Sequence, residues 1–313
     1  MVGEKRVKIR FKKKLLHNLS CWAMILLPML GFFLLQMIPL CISFFLGFTE
    51  LHRYDFSAAT WTGFSNYKFV LTDPLFWRAM LNTLYALLAI PLEMILGLLI
   101  ASVLVKKIRG KNFFRTLFFI PYVCSSVAVT LMFQWFFDSE LGIVNAFLSA
   151  IGIAKQPFFY SEAQFMPCML VMMIWSGTGY YILLYQAALT NVNDSVLEAA
   201  DLDGANAVQK FFHVTVPAIS PTTFYLIVMG IIGGLQTFNS FQVVCSSLGQ
   251  GMKFGPGNAG ITVVYYLYDK GFENIFVYGM GIASAAAWII AFIILVLTIF
   301  NFRLSKKWVQ YDN

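Results

Sequence analysis

Residues 283–300 read ASAAAWIIAFIILVLTIF, eighteen consecutive positions without a charged side chain. Such a run can cross a bilayer, because about 20 apolar residues of α-helix span the hydrocarbon core. Inside that core every backbone N–H and C=O must find its partner within the protein, which leaves helices and closed β-barrels. Barrel strands alternate apolar and polar residues over about 10 positions, and this run does not alternate. The chain is therefore expected to be an all-α integral membrane protein. Its composition agrees: 12% of the 313 residues are charged, about half the 25% or so of soluble domains.

Five further runs resemble the first, and the spacing predicts six spans at about 21–48, 79–105, 113–137, 165–189, 222–245 and 276–302. The first follows a basic arm, residues 1–20, and is too long for the apolar core of a cleaved signal peptide, so it reads as a retained span. The tail is 303–313. Of the 22 Lys and Arg residues, 16 fall in the arm, the connection after the second span, the connection after the fourth and the tail; six fall on the other side. The positive-inside rule then places both termini in the cytoplasm. The net charge of +7 belongs to this asymmetry and not to nucleic-acid binding. The five cysteines, without CxxC spacing and mostly within apolar runs, read as small buried hydrophobes. Glu93 is the one ionisable residue clearly inside a span. It is either functional, the default for an intramembrane carboxylate, or simply bonded within the bundle.

The connection after the fourth span, residues 191–221, breaks the charge pattern because its own sequence is acidic. Ser195-Val196-Leu197-Glu198 matches a capping box, and Ala199, Ala200 and Leu202 continue a short helix. Asp203-Gly204 ends it, glycine supplying the left-handed conformation. A second helix runs from Ala205 to about Phe212, and Val216-Pro217 stops it. The residues alone leave two readings for Glu198, Phe211 and Phe212: capping and packing against the bundle, or insertion into a groove on a partner.

Glu198-Ala199-Ala200, three residues, Gly204, nine residues and Val214-Thr215-Val216-Pro217 resemble the EAA loop of the membrane subunits of ABC importers fed by binding proteins. Asp203-Gly204-Ala205, Phe211 and the Pro217/Pro221 pair resemble the carbohydrate branch, which includes maltose, glycerol-phosphate and lactose permeases. Trp61-Thr62-Gly63-Phe64-Ser65-Asn66-Tyr67, Phe76-Trp77, Asn82-Thr83, Phe114-Arg115-Thr116 with Pro121, Gly142-Ile143-Val144-Asn145 and the stretch 302–308 are similar to the same family. The stretch 249–257 departs from it. The resemblance implies a six-span bundle with a permease core over 79–302 and a coupling loop docked on a cytoplasmic ATPase. Glu198, Ala199, Ala200, Asp203, Gly204, Phe211, Phe212 and Pro217 would carry that coupling. It also implies a second permease subunit, two ATPase copies, an extracytoplasmic sugar-binding protein, and ATP and Mg2+ used by the ATPase, with no cofactor on this chain.

Gly233, Gln236, Thr237 and Ser240 recur at i, i+3, i+4 and i+7, one face of a helical fifth span, with Asn239 and Phe241 adjoining. Hydrogen-bonding side chains beside aromatics suit a sugar, while small and polar residues equally suit helix packing. The family offset from Glu198 adds Met173, Gly177 and Tyr180 to the expected substrate pathway. The sequence holds no G-x-x-x-x-G-K-[ST] phosphate loop. His17, His52 and His213 are far apart, which makes a metal or histidine-based catalytic centre unexpected. Two alternatives remain: an ABC permease for another solute, such as a phosphodiester or peptide, and an autonomous secondary transporter, which would need intramembrane charge pairs or inverted halves.

Overall fold

The computed structural model describes residues 21–51, 59–106, 109–249 and 251–310; the basic arm 1–20 lies outside them. The protein is mostly helical. Helix α1 (Cys21–Leu46) leads to a two-stranded antiparallel ribbon, β1 (Thr49–Glu50) and β2 (Thr60–Trp61). Then come α2 (Ser65–Thr72), α3 (Pro74–Ala86), α4 (Ala89–Val105), α5 (Lys111–Val123), α6 (Ser126–Phe136), α7 (Ile143–Ala150) and the long α8 (Glu162–Thr190). A hairpin of α9 (Asp194–Leu202) and α10 (Ala207–Lys210) precedes α11 (Ser220–Leu235), α12 (Asn239–Ser247), α13 (Val263–Tyr268) and α14 (Ile275–Ser305).

Among the described residues, five helical stretches are long and apolar enough to cross a membrane: Cys21–Leu46, Pro74–Val105, Glu162–Thr190, Ser220–Ser247 and Gly279–Ser305. The expected third span differs from a straight helix. It is the pair α5 and α6, bent by 97°. The turn falls where Cys124 and Ser125 leave helical geometry, with ψ of 150° and 130°, three residues past Pro121, which removes one i→i−4 bond from the last turns of α5.

The core forms where small residues let helices touch. Gly97 of α4 lies so close to α8 that a Cβ there would sit 2.6 Å from the Cβ of Tyr181. Around this crossing Ile90, Ala101, Tyr181, Ile182, Tyr185 and Leu226 form one buried cluster. A larger cluster, including Phe76, Phe165, Met169, Phe241 and Tyr266, fills the other end. Helix α1 is the exception, with none of its most apolar window buried. It meets the bundle near its end, where the Phe44 ring lies 4.9 Å from Trp288.

The residues just after the 249–257 stretch are tied to α3. Asn82 donates its side-chain amide to the carbonyls of Asn258 and Ile261, both at 2.9 Å, and the Thr83 hydroxyl accepts from the Val263 N–H. Charged groups follow in the same region. Lys253 bridges Asp269 and Glu273; burial alone would lower its pKa, but hydrogen bonds to the two carboxylates raise it overall. Asp73 caps α3 through the Leu75 N–H, accepts from the Tyr266 hydroxyl at 2.8 Å and lies 3.6 Å from the Lys270 ammonium. The cysteine expectation holds for Cys168 and Cys245, which are buried, but Cys21, Cys41 and Cys124 lie on the chain's surface.

Candidate functional site

Two places gather the residues singled out in the sequence. The first is the hairpin after α8. Its helix begins two residues earlier than expected: Asn193, not Ser195, is the cap, its side-chain oxygen accepting from the Ser195 N–H at 3.0 Å and the Ser195 hydroxyl at 2.9 Å. The reciprocal capping box falls instead on α10, between Asn206 and Gln209. Gly204 has φ +79°, the left-handed geometry that reverses the chain, and Lys210 pairs with Asp201 at 2.5 Å across the hairpin. The second helix does not stop at Val216-Pro217. A π-type turn, Phe211–Thr215, passes into a helical turn containing Pro217. Val216 stays helical there (φ −62°, ψ −44°), because the wider turn makes room for the proline ring.

The hairpin is little buried by its own chain. Glu198, Ala199 and Asp203 are exposed, and Ala200 and Phe211 are partly covered. Four apolar side chains also face outward: Val196, Leu202 at 91% exposure, Val208, and Phe212 at 61%. The described residues thus leave Phe212 largely uncovered. The stretch after α14 returns to the base of the hairpin, where the Gln310 N–H donates to the Ser220 hydroxyl and Trp308 meets Phe224.

The second place is a cavity of about 360 Å3 between α4, α5, α8 and α11. It brings together Met173, Gly177, Tyr180, Gly233 and Thr237 from the expected pathway, and adds Glu93, Tyr122 and Tyr181. Gln236, Asn239, Ser240 and Phe241 do not line it. The reason is a correction to the fifth span. Its helix breaks at residues 236–238, where Gln236 has φ −102°, ψ 11° and Phe238 φ −148°, ψ −60°, so positions 233–240 do not share one face. The Thr262 hydroxyl donates to the Thr237 carbonyl at 2.8 Å, satisfying a group that the break frees. Phe241 is fully buried in the core, while Gln236 and Asn239 are exposed elsewhere.

The cavity walls combine aromatic faces with hydrogen-bonding tips. Tyr122 and Tyr180 stack with centroids 5.4 Å apart, and Tyr180 is hydrogen-bonded to Tyr225. Glu93 is 7% exposed and accepts from the Tyr181 hydroxyl. Its carboxyl lies over Gly177, where a Cβ would come 2.6 Å from the carboxyl carbon. The carboxylate is therefore bonded within the bundle and also faces the cavity, so the two sequence readings of Glu93 are compatible. Sequence reasoning missed Tyr122 and Tyr181 as wall residues. Each had a signal in its neighbours, Pro121 and the Gly177/Tyr180 pair.

The sequence matches the family described as "Binding-protein-dependent transport system inner membrane component" over residues 93–310. It is 34% identical over 301 residues to "Probable ABC transporter permease protein YesP" of Bacillus subtilis (strain 168), covering 95% of this chain and 93% of that relative. It is 31% identical over 282 residues to "Arabinooligosaccharides transport system permease protein AraP" of the same organism, covering 88% and 85%. Among solved structures, a chain of the bacterial alginate ABC transporter in complex with alginate pentasaccharide-bound periplasmic protein superposes with a TM-score of 0.78. The two share 24% sequence identity, and the match covers 94% of this chain and 96% of that one; the likeness is one of fold.

Proposed function

The chain belongs to the family of binding-protein-dependent transport system inner membrane components, and on that premise we propose that it forms half of the translocation pathway of an ATP-driven carbohydrate importer. As a member of the sugar-transporting ABC permeases it is a multi-pass membrane subunit, and the finer reading concerns how it works. Its substrate is an oligosaccharide, a reading supported by the arabinooligosaccharide and lactose permeases among its relatives. The sn-glycerol-3-phosphate permeases at similar identity mark the main alternative solute. The bent pair α5 and α6 counts as one broken span, giving six spans, with both termini and the 191–221 hairpin on the cytoplasmic side.

The hairpin is the coupling element. Glu198 and the outward apolar side chains of α9 and α10 enter a cleft on a separate ATPase, which binds ATP and Mg2+. Two ATPase copies, a second homologous permease and an extracytoplasmic binding protein complete the machine. Closure of the ATPases moves the hairpin, and α8 and α11, which flank it, carry that movement to the cavity walls.

The observation that carries the pathway is the cavity at the α11–α12 break. A broken helix inside a bundle brings irregular backbone to the cavity wall, and such backbone at membrane depth is tolerated where it is buried or lines a cavity. Tyrosine faces cover the apolar C–H surface of a sugar ring, and hydroxyl, carboxyl and backbone groups meet its hydroxyls. Gly233 allows a clean test, because a Cβ there meets nothing within 4 Å and a large side chain can enter without displacing the fold. Gly233→Trp is expected to insert and to retain the ATPase while lowering oligosaccharide uptake by roughly a hundredfold, since a filled site loses its ligand contacts outright. Uptake within about twofold of the parent, at equal membrane abundance, would remove this cavity from the pathway.

A further inference from the structure

Gln186 sits on α8 and is 5% exposed, yet its amide nitrogen and oxygen both lack a hydrogen-bond partner among the described residues. Other buried amides in this protein are well served: Asn145 alone bonds the carbonyls of Ser139 and Gln156 and the Gln156 N–H. An unpaired amide in hydrocarbon is costly, so a group outside this chain is expected to complete it. Gln186 is one of the residues around a groove of about 510 Å3 between α5 and α8 that also holds Arg115, Thr116, Phe119, Ile120 and Leu183, with its amide buried beneath the groove wall. The two helices touch at Gly179, where a Cβ would lie 2.5 Å from the Phe118 carbonyl oxygen. Gln186 lies two turns beyond that contact, towards the hairpin.

We propose that this groove binds a phospholipid whose headgroup is anionic and bears hydroxyls, of the phosphatidylglycerol class. Three features select it. Arg115 supplies a cation for the phosphate, and Lys106, Arg109 and Lys111 crowd the same end of the bundle; basic pockets between membrane helices recruit anionic headgroups. The Gln186 amide offers one donor group and one acceptor, matching a headgroup with both phosphate or ester oxygens and hydroxyl groups. A choline headgroup has no hydroxyl to donate. The apolar remainder of the groove fits an acyl chain.

Depth agrees with this occupant. Gln186 lies four residues before the end of α8 at Thr190, and Arg115 four residues after the start of α5 at Lys111. Each is thus roughly 6 Å, about one turn, inside its helix end, the level of glycerol and ester groups when the ends meet the interface. The groove is also distinct from the solute cavity. Gly179, Ile182 and Gln186 lie away from the face of α8 that carries Met173, Gly177 and Tyr180, at 100° per residue.

The test needs no transport assay and so stands apart from the proposed function. The full chain, purified in detergent, is titrated with phosphatidylglycerol or phosphatidylcholine, and bound lipid is counted by native mass spectrometry while the unfolding temperature is followed. Phosphatidylglycerol is expected to be retained and to raise the unfolding temperature with concentration; phosphatidylcholine is not. Gln186→Leu and Arg115→Gln should each weaken phosphatidylglycerol retention by about tenfold, the scale of one charge-assisted or buried hydrogen bond. Arg115 is exposed, so its variant keeps the test sound if the buried one fails to fold. Equal binding of the two lipids, or unchanged retention in the Arg115 variant, overturns the proposal. So does a Gln186→Cys variant that cross-links to the second permease at high yield, because a protein helix would then occupy the groove.

Discussion

Replacing Gly204 by proline together with Glu198 by alanine is expected to remove the proposed ATPase partner from the purified complex while leaving the chain inserted in the membrane. The first change acts on the backbone. Gly204 has φ +79°, and proline is confined near −65°, so the reversal between α9 and α10 cannot form. The Gly204 N–H, which donates to the Asp201 carbonyl at 3.1 Å, is lost as well. Space is not the issue, because a Cβ at Gly204 meets nothing within 4 Å. Gly204→Ala should therefore cost only about 1 kcal/mol of hairpin stability and keep most of the association, whereas proline costs roughly 3 kcal/mol or more. The second change removes an exposed carboxylate available to a basic residue of the partner. Co-purification of the ATPase with the double variant at parental yield would leave the hairpin without its coupling role.

Gly177→Ala is the second large effect, and here space decides. The added methyl would lie 2.6 Å from the carboxyl carbon of Glu93, a side chain that is 7% exposed and bonded to Tyr181. Overpacking of this kind costs about 1–3 kcal/mol, and the displaced carboxyl would lose its tyrosine and enter the cavity. Glu93→Ala makes room for the methyl. The double variant is therefore expected to recover about 1 kcal/mol or more relative to the sum of the single changes, the coupling of residues in contact. Unfolding temperatures of the four proteins in detergent measure this cycle. Additivity within about 0.5 kcal/mol would show that the contact between Gly177 and Glu93 is not what constrains the site.

The sequence revealed the spans because an apolar run of twenty residues has few folds open to it. Five of the six expected spans coincide with helices of the right length and composition. Breaks within them were harder to see. Gly233 and Gly234 do not by themselves interrupt a helix, and the interruption at 236–238 is supported by Thr262, a hydroxyl 25 residues away that bonds the Thr237 carbonyl. No local pattern carries that information. The bend after α5 had a cue in Pro121, but Val123, Cys124 and the residues beyond continue the apolar run, and hydropathy reads straight through the corner. The hairpin shows the finer limit. Asn193, Asp194 and Ser195 can each cap a helix, and the one that does is Asn193, which bonds both the N–H and the hydroxyl of Ser195. Tyr122 and Tyr181 escaped notice because burial around a cavity depends on which helices touch, and glycines such as Gly97 and Gly179 set that contact.

On the proposed function, this chain passes a carbohydrate when an attached ATPase hydrolyses ATP. The most direct test is uptake of a labelled oligosaccharide into proteoliposomes containing the chain, its second permease, the ATPase and the loaded binding protein, with no ion gradient. The account predicts accumulation that requires ATP inside the vesicles and vanishes in the Gly204→Pro, Glu198→Ala protein. Accumulation driven by a proton or sodium gradient without ATP would contradict it.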